Sequence, residues 1–230
     1  MAIRSRVALA LVLVAVLGRA GTVHAERVSD VRNTKHNLSA GSANSVRATT
    51  ETQICVFCHT PHGATPGVTP LWNRRLSGST YTVYTSSSLD ANAIQGALDQ
   101  PGGSSKLCLS CHDGTVAVNS FGGVTGTTMI SAANNLGNNL KRSHPIGFTY
   151  DTALSTADGS LFDPATKTAT IGSGTQTKTG TIASVLLYGG KMECDSCHDV
   201  HNTFTVGGAG TGLVKVDPSG SKICLTCHNK

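Results

Sequence analysis

Four copies of Cys-x-x-Cys-His constrain this chain more than any other feature. They are Cys55, Cys58 and His59; Cys108, Cys111 and His112; Cys194, Cys197 and His198; and Cys224, Cys227 and His228. Together they use all 8 Cys of the 230 residues, so none is left over. Their starts lie 53, 86 and 30 residues apart, which is no solenoid period. Two Cys-x-x-Cys pairs per ion would suit zinc, but zinc gives no reason for a His after every second Cys. A disulfide framework gives none either. With 9 His in the chain, four such placements by coincidence have odds on the order of one in a million.

The pattern is that of covalent haem c attachment. On one helical turn, positions i, i+3 and i+4 share a face. Two thiols can then form thioethers to one porphyrin, with the His behind them reaching the iron. The sequence therefore predicts four covalently attached haem c groups. The expected attachment residues are Cys55, Cys58, Cys108, Cys111, Cys194, Cys197, Cys224 and Cys227. The expected proximal iron ligands are His59, His112, His198 and His228.

The second ligands follow from counting. Outside the motifs, and leaving aside His24, the remaining His are His36, His62, His144 and His201. Four His for four open axial positions predict bis-His ligation throughout. Met129 and Met192 are too few to compete. His62 and His201 each stand three residues after a proximal His, too close in the chain to take the opposite face of the same iron. Each is expected to bind a different haem from its neighbour, which would bring haems together.

The rest of the chain is poor in regular signals. Aromatic residues are 4%, charged residues 13%, and Gly numbers 26. Gly122–Thr128 and Ser173–Gly180 read as loops. Ala169–Ile171 and Thr181–Leu187 read as a short strand pair around Gly172–Gly180. The expected fold is irregular, mostly coil with short helices and a few short strands. Such a chain offsets its conformational entropy poorly by side-chain burial alone, and four porphyrins would supply the missing interior.

Residues 1–25 read as an export signal: Arg4 and Arg6, the apolar run Val7–Leu17, and a small-residue site at Val23-His24-Ala25. That run has 11 residues, against about 20 for a membrane span, and no later segment is apolar enough. Residues 26–230 would form the exported domain, with periplasm and cell exterior both open. Removing Arg4, Arg6 and Arg19 from 18 basic residues leaves 15 against 13 acidic, a formal +2. That is too little for a nucleic-acid binder of the usual basic kind. Eight haem propionates would make the loaded protein net negative, and bis-His ligation places potentials below those of His/Met haems. Asn37-Leu-Ser39 is formally a glycosylation triplet. Trp72 is expected to pack on a porphyrin face rather than bridge two.

Longer stretches resemble the multihaem c-type cytochromes of the doubled-CXXCH type, in particular the filament-forming tetrahaem outer-membrane cytochromes. They are Asn33–Ser39, Thr52–His62, Pro70–Arg74, Ser143–Gly147, Cys194–His201 and Ile223–Lys230. Residues 114–133 and 158–180 carry no resemblance. The likeness implies stacked bis-His haems in a continuous row, a homopolymer, and one axial His supplied by the neighbouring subunit. His62 is the expected donor, with His36 as the runner-up. A ligand tethered beside its own haem and bound to a neighbour's iron brings two subunits' haems into contact.

Electron transfer through an extracellular or cell-surface filament is the expected function, with redox proteins or extracellular electron acceptors as partners. A monomeric periplasmic shuttle would use the same residues. A multihaem reductase would need an exchangeable iron site. Eight His can saturate all four irons, so the chain is not expected to be an enzyme.

Overall fold

The computed structural model describes residues 31–206 and 212–230. The export signal read over residues 1–25 lies outside these. The described chain is mostly coil, with short helices and one two-stranded sheet. The helices are α1 (Asp90–Gln95), α2 (Gly103–His112), α3 (Thr152–Asp158), α4 (Ile182–Val185), α5 (Cys194–Cys197) and α6 (Lys222–Leu225), with 3-10 turns such as Cys55–Phe57. No helix among the described residues is long and apolar enough to cross a membrane.

Strands β1 (Thr168–Ser173) and β2 (Gln176–Thr181) pair antiparallel, from Thr168 opposite Thr181 to Ser173 opposite Gln176. Gly174 takes the first position of the two-residue turn at φ +59°, a conformation that suits a hairpin and costs glycine little. The first strand falls where the sequence put it; the second does not. Residues 182–185 form α4 instead, because the Thr181 side chain accepts the Ser184 amide and starts a helix. The helical turn buries Ile182 and Val185.

The apolar core lies on one side of this hairpin. Ile171, Ile182, Leu154, Tyr150, Val185, Leu186 and Met192 pack with Ala91, Leu98 and Phe148. Tyr81, Leu109 and Leu140 form a smaller cluster under α2. Residues 31–53 are organised differently, through polar side chains. Asn37 is buried; its amide donates to the Arg32 carbonyl at 2.9 Å, and its oxygen accepts the Ser39 hydroxyl at 2.7 Å. The triplet Asn37-Leu-Ser39 thus serves the turn, and its Asn amide is engaged. Asn44 donates to the carbonyls of Thr34 and Asn37.

Candidate functional site

Each Cys-x-x-Cys-His sits on one helical turn. The His59 amide donates to the Cys55 carbonyl at 2.8 Å, that of His198 to Cys194 at 3.1 Å, and that of His228 to Cys224 at 2.9 Å. The second motif ends α2. The i to i+4 bond places both sulfurs and the ring on one side of the turn.

Three of the four motif imidazoles are oriented by loop carbonyls. Nδ1 of His59 lies 2.7 Å from the Pro70 oxygen, that of His112 2.9 Å from Asn134, and that of His198 2.7 Å from Gly212. His144, outside the motifs, places Nδ1 2.9 Å from the Pro145 oxygen. A carbonyl only accepts, so each Nδ1 carries the proton and each Nε2 presents a lone pair. This second contact is the usual way a metal-binding imidazole is held in one tautomer. Sequence reading found the rings and missed these acceptors, since nothing local marks Pro70, Asn134 or Gly212 as their partners.

The rings then meet in pairs. His59 and His201 have centroids 6.2 Å apart and nearly parallel planes, at 15°. His36 and His112 stand 6.1 Å apart, and His144 and His228 stand 6.5 Å apart. A ring nitrogen lies about 1 Å from its centroid and about 2 Å from a bound metal, so two imidazoles on opposite sides of one iron have centroids about 6 Å apart. All three pairs have that spacing. Each combines one motif His with one of the four others. His201 pairs with His59 and not with His198 beside it in sequence. His36 is half-buried, its Nδ1 is buried without a partner, and burial holds its pKa down to about 4. Its ring therefore stays neutral, the form that binds metal. His62 and His198 are left over. Both are exposed, and among the described residues neither ring meets another imidazole.

The motif cysteines follow one another in sequence order. Cys108 and Cys194 act on one another, which raises the pKa of Cys108 and lowers that of Cys194. Burial pushes Cys58 up to about 11 against the pull of Arg74, with Cys111 and Cys55 adding to the rise. Burial also raises Cys227 to about 12, with Cys197 and Cys224 adding to it. The motifs are thus neighbours first to second, second to third, and third to fourth. The second and third are tied directly: the Cys194 amide donates to Ser105 Oγ at 2.9 Å, and Ser104 Oγ to Asp195 at 2.6 Å. Buried Glu193 joins them through Ser105. A Cβ at Gly103 would come within 3.0 Å of the Glu193 carboxylate, and Gly103 has φ +46°. Glycine is therefore favoured where α2 starts against Glu193.

Among the described residues no three His, Cys, Asp or Glu side chains gather as a metal site. An iron that receives four nitrogens from a porphyrin would need only two from protein, and each ring pair could supply two.

Trp72 is buried and meets the His59 ring edge-on at 6.2 Å. The adjoining Asn73 amide donates to the Cys58 carbonyl at 2.9 Å. Trp72 thereby walls the His59 ring. Two site residues went unrecognised in the sequence, Glu193 and Arg74; a charged residue between Gly- and Ser-rich loops gives no signal that it is buried.

The chain matches no family model, and no curated protein matches it.

Proposed function

We propose that this protein is an electron-transfer cytochrome with four covalently attached haem c groups, exported and assembled into a filament through His62. The observation that carries the reading is the inventory of imidazoles. Three pairs are spaced for one iron each, and one motif His and one other His are left without partners. Haem c supplies a one-electron ferric/ferrous couple. The chain's contribution is to fix the imidazole tautomers through loop carbonyls, close both axial positions, and hold neighbouring attachment turns in contact.

In this reading His59 and His201 serve the first haem, His112 and His36 the second, and His228 and His144 the fourth. His198 serves the third and takes its second ligand from His62 of another copy. The exposure of both leftover rings supports a bond made between subunits. Four stacked haems per subunit, joined across each boundary, would make an uninterrupted row.

The test is cryo-electron microscopy of the natively matured protein beside its His62→Ala variant, with spin state read by electron paramagnetic resonance. Filaments that dissociate on substitution, with one haem of the four turning high-spin, are expected. Intact filaments in the variant would remove His62 from the boundary. A wild-type monomer with every haem low-spin would make the protein a soluble carrier. A wild-type monomer with one high-spin haem would leave the His198 position exchangeable, as a reductase requires.

A further inference from the structure

Among the described residues Arg74 is the largest side chain that is fully enclosed, with 2% of its surface exposed. Nη1 donates to the carbonyls of Phe57 at 3.3 Å and Val118 at 2.6 Å, and Nη2 to that of Ala117 at 2.6 Å. Its Nε is buried without an acceptor. Among the described residues the ion pair within 4.0 Å is Lys222–Asp217 at the surface, so no carboxylate faces the guanidinium at that range. A buried charge is costly unless it is paired. Here only carbonyl dipoles meet it.

Its place matters. Phe57 lies between Cys55 and Cys58, and Ala117 and Val118 follow His112 closely. Nη1 reaches into the first motif at the Phe57 carbonyl, and neither Asp nor Glu stands within that motif or beside it. Buried Asp113 directly follows His112 and sets a carboxylate beside the second motif. The third motif stands in a different field, with Asp195 between its cysteines and buried Glu193 just before them. Between the fourth pair stand Leu225 and Thr226, which carry no charge.

We infer that Arg74 is a positioning and tuning residue that gives the haem of the first motif the highest reduction potential of the four. The inference rests on the four-haem reading above. Reduction adds one electron to the site and nothing else, so it adds one unit of negative charge. An uncompensated cation in a low-dielectric interior favours that form. Salt screens such a buried charge weakly. An electron in the row would then dwell longest at the first motif, which also carries His62 and the subunit boundary.

The alternative role is mechanical, with Arg74 clamping the first motif to the segment after the second through its three carbonyls. The two roles separate in the matured protein, with haems counted by intact mass and potentials read by visible spectroelectrochemistry. Arg74→Met is expected to lower the most positive component. At the old midpoint its reduced-to-oxidised ratio should fall at least about tenfold, which is about 59 mV for one electron. Arg74→Lys, which keeps the charge and loses the fork, should restore most of it. A His201→Met background, in which the first haem carries a distinguishable ligand, should show the marked component moving.

Four haems with unchanged potentials in Arg74→Met would overturn the inference, as would equal drops in the Met and Lys variants. If Arg74→Met fails to mature, the wild type still decides. Its most positive component should hold still between about 20 mM and 1 M salt, and a slide toward the others would assign that potential to surface charge. Fewer than four haems in the wild type would sink the four-haem reading instead.

Discussion

The segment from Phe148 to Met192 and the segment from Val31 to Arg75 are each about 45 residues long, yet they fill their interiors by opposite means. In the first, Tyr150, Leu154, Ile171, Ile182, Val185 and Met192 bury apolar side chains on one another around a six-pair hairpin. In the second, the buried apolar residues are Ala48, Phe57 and Trp72, beside buried Thr34, Asn37, Ser39, Asn73 and Arg74. Burial of apolar area is the main favourable term in folding, so the first segment carries its own stability. The second has polar turns wrapped around a cysteine pair and carries three imidazoles, those of His36, His59 and His62. The hairpin region is the scaffold, and under the proposed function the first-motif region would be completed by its haem.

The largest expected effect divides the two regions. In a full-length chain whose eight Cys are changed to Ser, so that no haem attaches, amides of β1 and β2 should stay protected from hydrogen exchange. Those of residues 31–75 should exchange as in an open chain. Equal protection of both regions would show that the polar turns suffice alone, and equal loss would show that the hairpin core also depends on haem.

Single core substitutions sharpen the same contrast. Leu154 is 2% exposed, and Leu154→Ala should cost about 2–5 kcal/mol whether or not haem is attached. Phe57 is 1% exposed and meets Phe121 edge-on at 4.9 Å. Phe57→Ala should be comparably costly in the matured protein and nearly silent in the haem-free chain. Chemical denaturation of the four proteins checks both halves, and a large cost for Phe57→Ala without haem would place an autonomous core around the first motif.

What the sequence made legible was local. The helical turn of each motif, the eight imidazoles and the coil-rich character all follow from spacing and composition over a few residues. The pairing of His59 with His201 spans 142 positions, and no local pattern encodes it. The same holds for Arg74 reaching Ala117 and Val118. The misplaced second strand has a different cause. Thr-Ile-Ala-Ser-Val-Leu-Leu suits a buried strand or a short helix equally, and one hydroxyl, that of Thr181, decides for the helix by accepting the Ser184 amide.

A smaller effect belongs to the scaffold side alone. Asp151 caps α3 by accepting the Leu154 amide at 2.9 Å. Asp151→Ala should cost about 1 kcal/mol, and Asp151→Asn much less. Thermal melts of the matured protein test this, and equal losses in the two variants would mean that the carboxylate charge matters more than its hydrogen bond.

The smallest effect concerns the seam between the second and third motifs. Burial raises the Glu193 carboxyl above its ordinary 4.5, opposed by its bonds to Ser105. Well below 4.5, folded and unfolded chains both hold the proton and the group contributes no difference. As pH rises from 4.5 toward the higher folded value, the unfolded chain ionises first, so folding loses stability across that window and no more above it. Glu193→Gln removes the titration. Its stability relative to wild type should therefore improve as pH rises through the window. Denaturant midpoints of the two proteins at matched pH values measure this. If the variant instead fell behind with rising pH, the start of α2 would be holding Glu193 as an anion, and the seam would gain from a charge that burial alone would expel.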